Sequence, residues 1–189
     1  VTNGVVVINP EVIAEQLEAA KAQVAAAKAA GKEILVVCEK KMYAEELEAL
    51  AQKAGVAFLN YKVSGGFLTN FDTFKKRIDS INEMVSYMES DAFASLTKKE
   101  QLVYKRNFER ANKVYKGVTK LKKRPEVVII VDGNMLSTLI DEVENLKGKL
   151  EAIVIAGTNF SRYWPENEII TTNINSYQSL DFVLKSILL

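Results

Sequence analysis

Apolar and polar positions along this chain follow two periods in alternation. Short apolar runs, such as Val127-Val128-Ile129-Ile130-Val131 and Ala152-Ile153-Val154-Ile155-Ala156, are separated by stretches in which apolar residues recur every three or four positions. Runs without a polar face predict strands buried on both sides, and the spaced stretches predict amphipathic helices. From the N-terminus, a strand at Gly4 to Ile8 leads into a helix opened by Asn9-Pro10, a capping residue followed by proline at the first helical position. Gly31 stops that helix, Glu33 to Cys38 reads as a strand, and a helix from about Met42 to Ala54 ends at Gly55. Val56 to Leu59 is a further strand, and a helix near Leu136 to Leu146 separates the two later apolar runs. Strands alternating with helices predict an α/β fold, a parallel sheet covered on both faces.

Residues 71–124 interrupt this alternation. They contain no strand-like run, and Phe71, Phe74, Ile78, Ile81, Val85 and Met88 follow a three-four spacing. Tyr104, Phe108, Ala111, Tyr115 and Val118 repeat it. Two such stripes without an intervening strand predict an antiparallel coiled-coil hairpin inserted into the sheet domain. Ser90 to Thr97 would form its tip, with Thr97 or Ser95 capping the return helix and Glu100 completing a capping box. The expected organisation is therefore a sheet domain, 1–70 and 125–189, with a helical hairpin, 71–124, projecting from it.

The hairpin is entered through Val63-Ser64-Gly65-Gly66-Phe67-Leu68-Thr69-Asn70-Phe71. The glycines permit positive φ and close approach, and Thr69 or Asn70 is suited to cap the helix that follows. Free amides at such a turn form a place for a phosphate, although a tight strand-to-helix connection without a ligand has the same signature.

The net charge of +1 conceals an uneven distribution. Between Lys98 and Arg124 the basic residues are Lys98, Lys99, Lys105, Arg106, Arg110, Lys113, Lys116, Lys120, Lys122, Lys123 and Arg124, against Glu100 and Glu109, so eleven minus two leaves an excess of nine. Solvated helix faces usually mix signs, and here the opposite charges are missing. A polyanion supplies them, and nucleic acid fits better than an acidic membrane because the apolar seam is too narrow for an interfacial helix.

Length and composition bound the rest. The chain of 189 residues, 48% hydrophobic, suffices for one substantial core, and no apolar run approaches the roughly 20 residues that span a bilayer. A lone cysteine, Cys38, precludes an internal disulfide and fits a reducing compartment, and the opening residues lack the build of a signal peptide, so an intracellular protein is expected. With no histidine, Ser-His-Asp triads and histidine metal sites are excluded, and neither a GxxxxGK[ST] nor a GxGxxG loop occurs. Cys38 reads as a buried structural residue, Asp132 as a helix cap near Asn134, and Gly157-Thr158-Asn159 as a loop. No catalytic residue, cofactor or metal is expected.

Gly65-Gly66-Phe67-Leu68-Thr69-Asn70-Phe71 closely resembles the GG-x-LTNF signature of bacterial-type small-subunit ribosomal protein S-two. Leu96 to Glu100 is similar to that family's LxKKE segment, Lys116 to Leu121 to its GIK-containing hinge, and Pro125-Glu126 through Val131-Asp132 to its PD-hydrophobic-VVD strand. Thr158-Asn159 matches the TN of its DTN loop, and Asn3 to Ile8 resembles its NGIHIID opening. The chain departs where the family carries Arg-Trp-Leu before the glycines and here Lys62-Val63-Ser64 stands, and at Ala156-Gly157 in place of valine-aspartate.

The resemblance implies a flavodoxin-like sheet with a projecting hairpin, and a structural, non-catalytic role in the small ribosomal subunit near the junction of head and body. Implied partners are small-subunit ribosomal RNA and neighbouring ribosomal proteins, including the large messenger-binding one, with no membrane and no DNA. The expected location is the bacterial cytoplasm, with an organellar ribosome as the alternative. The expected RNA contacts are Lys40, Lys41, Lys62, Gly65, Gly66, Thr69, Asn70, Lys75, Lys76, Lys98, Lys99, Lys105, Arg106, Arg110, Lys113, Lys120, Lys122, Lys123 and Arg124. Two competing readings are a Rossmann-like enzyme or nucleotide sensor using the glycine turn, which leaves the basic hairpin unexplained, and a coiled-coil adaptor, which leaves its charge unexplained.

Overall fold

The computed structural model describes residues 7–189, so the strand read at Gly4 to Ile8 lies mostly outside the described residues. Helix α1, Pro10–Ala29, starts as its first residues dictate: the Asn9 side chain accepts from the Glu11 amide at 3.0 Å, and Pro10 sits where no helical hydrogen bond is lost. Strand β1, Ile34–Val37, follows, then a 3₁₀ turn at Lys41–Tyr43 and helix α2, Ala44–Ala54. Gly55 ends α2 in the left-handed conformation, φ 69°, and strand β2 spans Ala57–Leu59. Helices α3, Phe71–Met88, α4, Asp91–Ala94, and α5, Lys98–Tyr115, come next. Strand β3, Val127–Val131, helix α6, Ser137–Asn145, and strand β4, Glu151–Ala156, restore the alternation. The structure adds strand β5, Ile169–Thr171, only three residues long, and helix α7, Tyr177–Leu188, whose Leu180, Val183, Leu184 and Ile187 carry a helical period that the expected elements do not include.

All strand pairs are parallel, in the order β2-β1-β3-β4-β5. Val36 aligns with Ile129 and Ile129 with Ile153, which puts one apolar set on each face. Ile34, Val36, Ile129, Val131, Ile153 and Ile155 pack against Leu17 and Val24 of α1, Leu47 and Leu50 of α2, and Leu180 and Leu184 of α7. Leu35, Val37, Val128, Ile130 and Val154 pack against Phe71, Phe74 and Ile78 of α3 and Leu139, Ile140 and Val143 of α6. Each such aliphatic side chain, fully buried, contributes about 1.5–3 kcal/mol, so the sheet is held from both sides.

Helix α3 therefore has two environments. Its first turns belong to the core of the sheet, whereas beyond Ile81 it meets α5 and the short α4, and Val85 is 39% exposed. None of the α5 side chains is buried. The seam expected through Val85 is therefore only partly covered: two helices without a third layer leave part of the stripe in water. At the turn between them, the rings of Tyr87, Phe93 and Tyr104 meet at 5.2–6.0 Å, and the Gln101 amide donates to the carbonyls of Phe93 and Leu96 at 3.2 and 3.0 Å. The capping box of α5 forms as its sequence predicts: Thr97 Oγ1 accepts from the Glu100 amide, and the Glu100 carboxylate accepts from the Thr97 amide at 2.9 Å.

Candidate nucleic-acid interface

The glycine turn is built around an internal anion. Gly66 has φ 85°, and the amides of Gly66, Leu68 and Thr69 donate to the carboxylate of Glu142 at 2.6, 2.8 and 3.1 Å. The Phe67 amide donates to the Ser64 carbonyl and the Asn70 amide to that of Gly66, so every amide from Gly66 to Asn70 has an acceptor inside the protein. Glu142, on α6, is 6% exposed. A second acid, Glu39, accepts from the Val63 amide at 2.6 Å. The expectation that these amides hold an external phosphate is thereby corrected: a carboxylate already occupies the donors. Nor does Thr69 or Asn70 cap α3 through its side chain. Asn70 stands at the cap position but accepts from the Thr73 hydroxyl at 2.9 Å, and the Thr69 hydroxyl points to Glu142 at 3.4 Å.

Sequence reading passed over Glu142 because an acid within a helix is ordinarily solvated. The signal was present nonetheless, since Glu142 lies among Leu136, Leu139, Ile140 and Val143, the buried side of α6.

At the carboxyl edge of the sheet, Lys40 pairs with Asp132 at 2.8 Å, and each side chain is only 13% exposed. Lys40 Nζ also donates to Asn175 Oδ1 at 3.2 Å. Asp132 has φ 69° and accepts from the Met135 amide at 3.2 Å, so it caps the turn ahead of α6 and not the helix itself, whose cap position is Leu136. The strand order reverses between β1 and β3, where open α/β sheets commonly bind ligands, and here that crevice holds the ion pair. Cys38, fully buried beside it, has its thiol pushed up to about 11 by burial, which outweighs the nearby Lys40 charge.

The expected contact residues thus separate into two sets. Lys40 is turned inward to Asp132, Lys75 pairs with Asp79, and Lys123 pairs with Glu126 at 2.7 Å, so each of these three already has a carboxylate within the chain. Lys41, Lys62, Lys76, Lys98, Lys99, Lys105, Arg106, Arg110, Lys113, Lys120 and Lys122 are exposed, Arg124 is half-buried, and none of them has an ion-pair partner among the described residues. On α5 the half-buried Gln101, Tyr104, Phe108, Ala111 and Tyr115 form one side, and the exposed Lys99, Arg106, Arg110 and Lys113 fall on the opposite side at intervals of seven, four and three. Lys113 Nζ lies 4.3 Å from the centroid of the Tyr61 ring, so the root of the arm and the segment carrying Lys62 are neighbours.

A row of cations along a helix is an arrangement suited to phosphates, which charge attracts without base specificity. Comparison with known proteins gives it a family. The model of the family described as ribosomal protein S2 matches residues 1–188. Small ribosomal subunit protein uS2 of Francisella tularensis subsp. holarctica is 31% identical over 187 residues, 98% of this chain and 76% of the relative. The uS2 proteins of Coprothermobacter proteolyticus and Petrotoga mobilis are 34% and 36% identical over 76% and 65% of this chain, and 54% and 43% of their own lengths. With sequence, fold and charge in agreement, the chain belongs to the ribosomal protein S2 family.

Proposed function

We propose that this protein is a structural constituent of the small ribosomal subunit, holding ribosomal RNA through its basic arm and supporting subunit assembly and translation rather than catalysing a reaction. Family membership supports the role, and the observation that carries the RNA contact is the row of exposed, unpartnered cations on the outer side of α5. In this reading 1–70 and 125–189 form a flavodoxin-like sheet domain, consistent with the strand order, and 71–124 an inserted coiled-coil hairpin. The contacting residues are Lys41, Lys62, Lys76, Lys98, Lys99, Lys105, Arg106, Arg110, Lys113, Lys120, Lys122 and Arg124. Gly66, Thr69 and Asn70 shape the joint instead, and Gly65 lies on its exposed side.

The protein sits near the junction of head and body, beside neighbouring ribosomal proteins that include the large messenger-binding one, on a bacterial ribosome in the cytoplasm. The nucleotide-binding alternative loses its basis, because the turn amides are taken by Glu142 and the sheet crevice by Lys40 and Asp132. Filter binding of the purified protein to small-subunit ribosomal RNA tests this reading. Engagement of six or more phosphates predicts an affinity loss of about a thousandfold between about 50 and 200 mM salt; a flat salt response would contradict it.

A further inference from the structure

We infer that Glu142 is a positioning residue that sets the direction in which the basic arm leaves the sheet. The inference rests on the RNA-binding reading only for the purpose that direction serves. Among the described residues Glu142 is the one charged side chain counted as buried. A carboxylate at such a site is tolerated only when its oxygens are satisfied, and here the satisfaction comes from a single short segment: the amides of Gly66, Leu68 and Thr69 converge on it as amides converge on an anion in a nest. Glu39, just after β1, takes the Val63 amide of the same connection. The connection is therefore fastened at one end to the edge of β1 and at the other to α6, immediately before α3 begins.

The hydrogen bonds add to the apolar contacts of the joint. Phe67, Leu68 and Phe71, with Phe74 and Ile78 further along α3, are buried and seat the helix on the sheet, and such packing leaves the crossing angle a scatter of about 15–20°. Hydrogen bonds to a fixed carboxylate are directional and narrow that scatter. The angle matters because α3 has 18 residues and is about 27 Å long, so a tilt of about 10° at its root displaces its far end by about 5 Å, nearly one helical turn. The Asn70 amide, bonded to the Gly66 carbonyl at 2.8 Å, carries the constraint from the nest into the helix. A leucine would fill the site of Glu142 yet leave the three amides without an acceptor, so the residue is chosen for its oxygens.

The test measures the arm in the free protein, with spin labels on Ser95→Cys at the tip and Gln178→Cys on α7, both exposed in the native chain, while the buried Cys38 stays unlabelled. The native joint predicts one narrow distance distribution. Glu142→Gln, which places an amide NH₂ among the donors, predicts a broadened or displaced distribution in a protein whose near-ultraviolet circular dichroism still reports a packed sheet. In Glu142→Ala, sodium formate at high concentration predicts re-narrowing, because the small carboxylate re-enters the nest. An unchanged distribution in Glu142→Gln would overturn the inference. Should that variant not fold, Glu142→Asp, which keeps the charge but withdraws it by one methylene, decides the question in the same way. No RNA enters the measurement, so a failure of the RNA-binding reading would show separately, in the salt titration.

Discussion

Gly117 lies against the carbonyl oxygen of Phe58 so closely that a Cβ on Gly117 would sit 2.1 Å from it and 2.7 Å from the Phe58 ring. Gly117 belongs to the 3₁₀ turn Lys116–Val118 by which α5 returns to the sheet, and Phe58 is the middle residue of β2, at the sheet's edge. The arm is thus attached twice, at the glycine turn on entry and at this backbone contact on exit. Because the obstacle is main chain, Gly117→Ala is expected to destabilise the protein by about 2–3 kcal/mol. Urea unfolding of the two proteins measures it, and a change under half a kilocalorie would show that the contact yields.

The two glycines of the entry turn have different tasks. At Gly66, φ 85° disfavours any L side chain, and Gly66→Ala should cost about 1–2 kcal/mol, with Gly66→Val worse and impairing assembly. Gly65 has an ordinary φ, and an added Cβ would meet only a Thr138 methyl at 3.6 Å, so Gly65→Ala should change stability by less than about 1 kcal/mol. Thermal melts of the two variants should therefore part company, and equal melting temperatures would refute the assignment.

Lys40 and Arg106 are both basic, yet the structure predicts opposite phenotypes. Removing Lys40 leaves Asp132 uncompensated at a site where the pair is 13% exposed, so Lys40→Met should cost about 1–3 kcal/mol of stability and leave the salt dependence of RNA binding unchanged. Arg106→Gln and Arg110→Gln should leave stability within about 0.5 kcal/mol and each lower the slope of log affinity against log salt by about 1. Equilibrium binding at four or five salt concentrations, beside urea unfolding, separates the two classes.

Stability should fall in alkali. The Cys38 thiol is pushed up to about 11 in the folded chain from 9.0 when exposed, because burial disfavours the thiolate. The unfolded chain therefore loses this proton first, and the associated stability, roughly 2–3 kcal/mol, is fully present below pH about 9 and lost as pH rises toward about 11. Tyr43, fully buried with its hydroxyl 3.0 Å from Asp181, is displaced in the same direction by burial and then by that carboxylate, and it adds to the fall above pH about 10. Cys38→Ala should flatten the first part of the decline in urea midpoints measured from pH 8 to 11. A midpoint constant over that range would contradict the burial of both groups.

What could be read from the chain, and what could not, follows from the range of the interactions. Strands β1 to β4 and helices α1, α2 and α6 announce themselves through local period and caps: Asn9 before Pro10, Gly55 after Ala54, and Thr97 three residues before Glu100 each do locally what their residue types suggest. The basic excess of α5 was equally legible, since charge is counted and not folded. The partners of Lys40 and of the glycine turn were not. Asp132 lies 92 positions beyond Lys40, and Glu142 more than 70 beyond the amides it holds. Only the parallel alignment of β1 with β3, and the packing of α6 and the glycine turn on the same face of the sheet, bring them together. Reading phosphate into the turn got the chemistry right, an anion among convergent amides, and its source wrong.

Sedimentation tests the central claim most directly. A cell extract run through a sucrose gradient at low salt should carry this protein with the small ribosomal subunits, and the same gradient at high salt should release it, because its contacts are mainly to phosphate. Recovery at the top of the gradient at low salt, as a free protein apart from the subunits, would contradict the account.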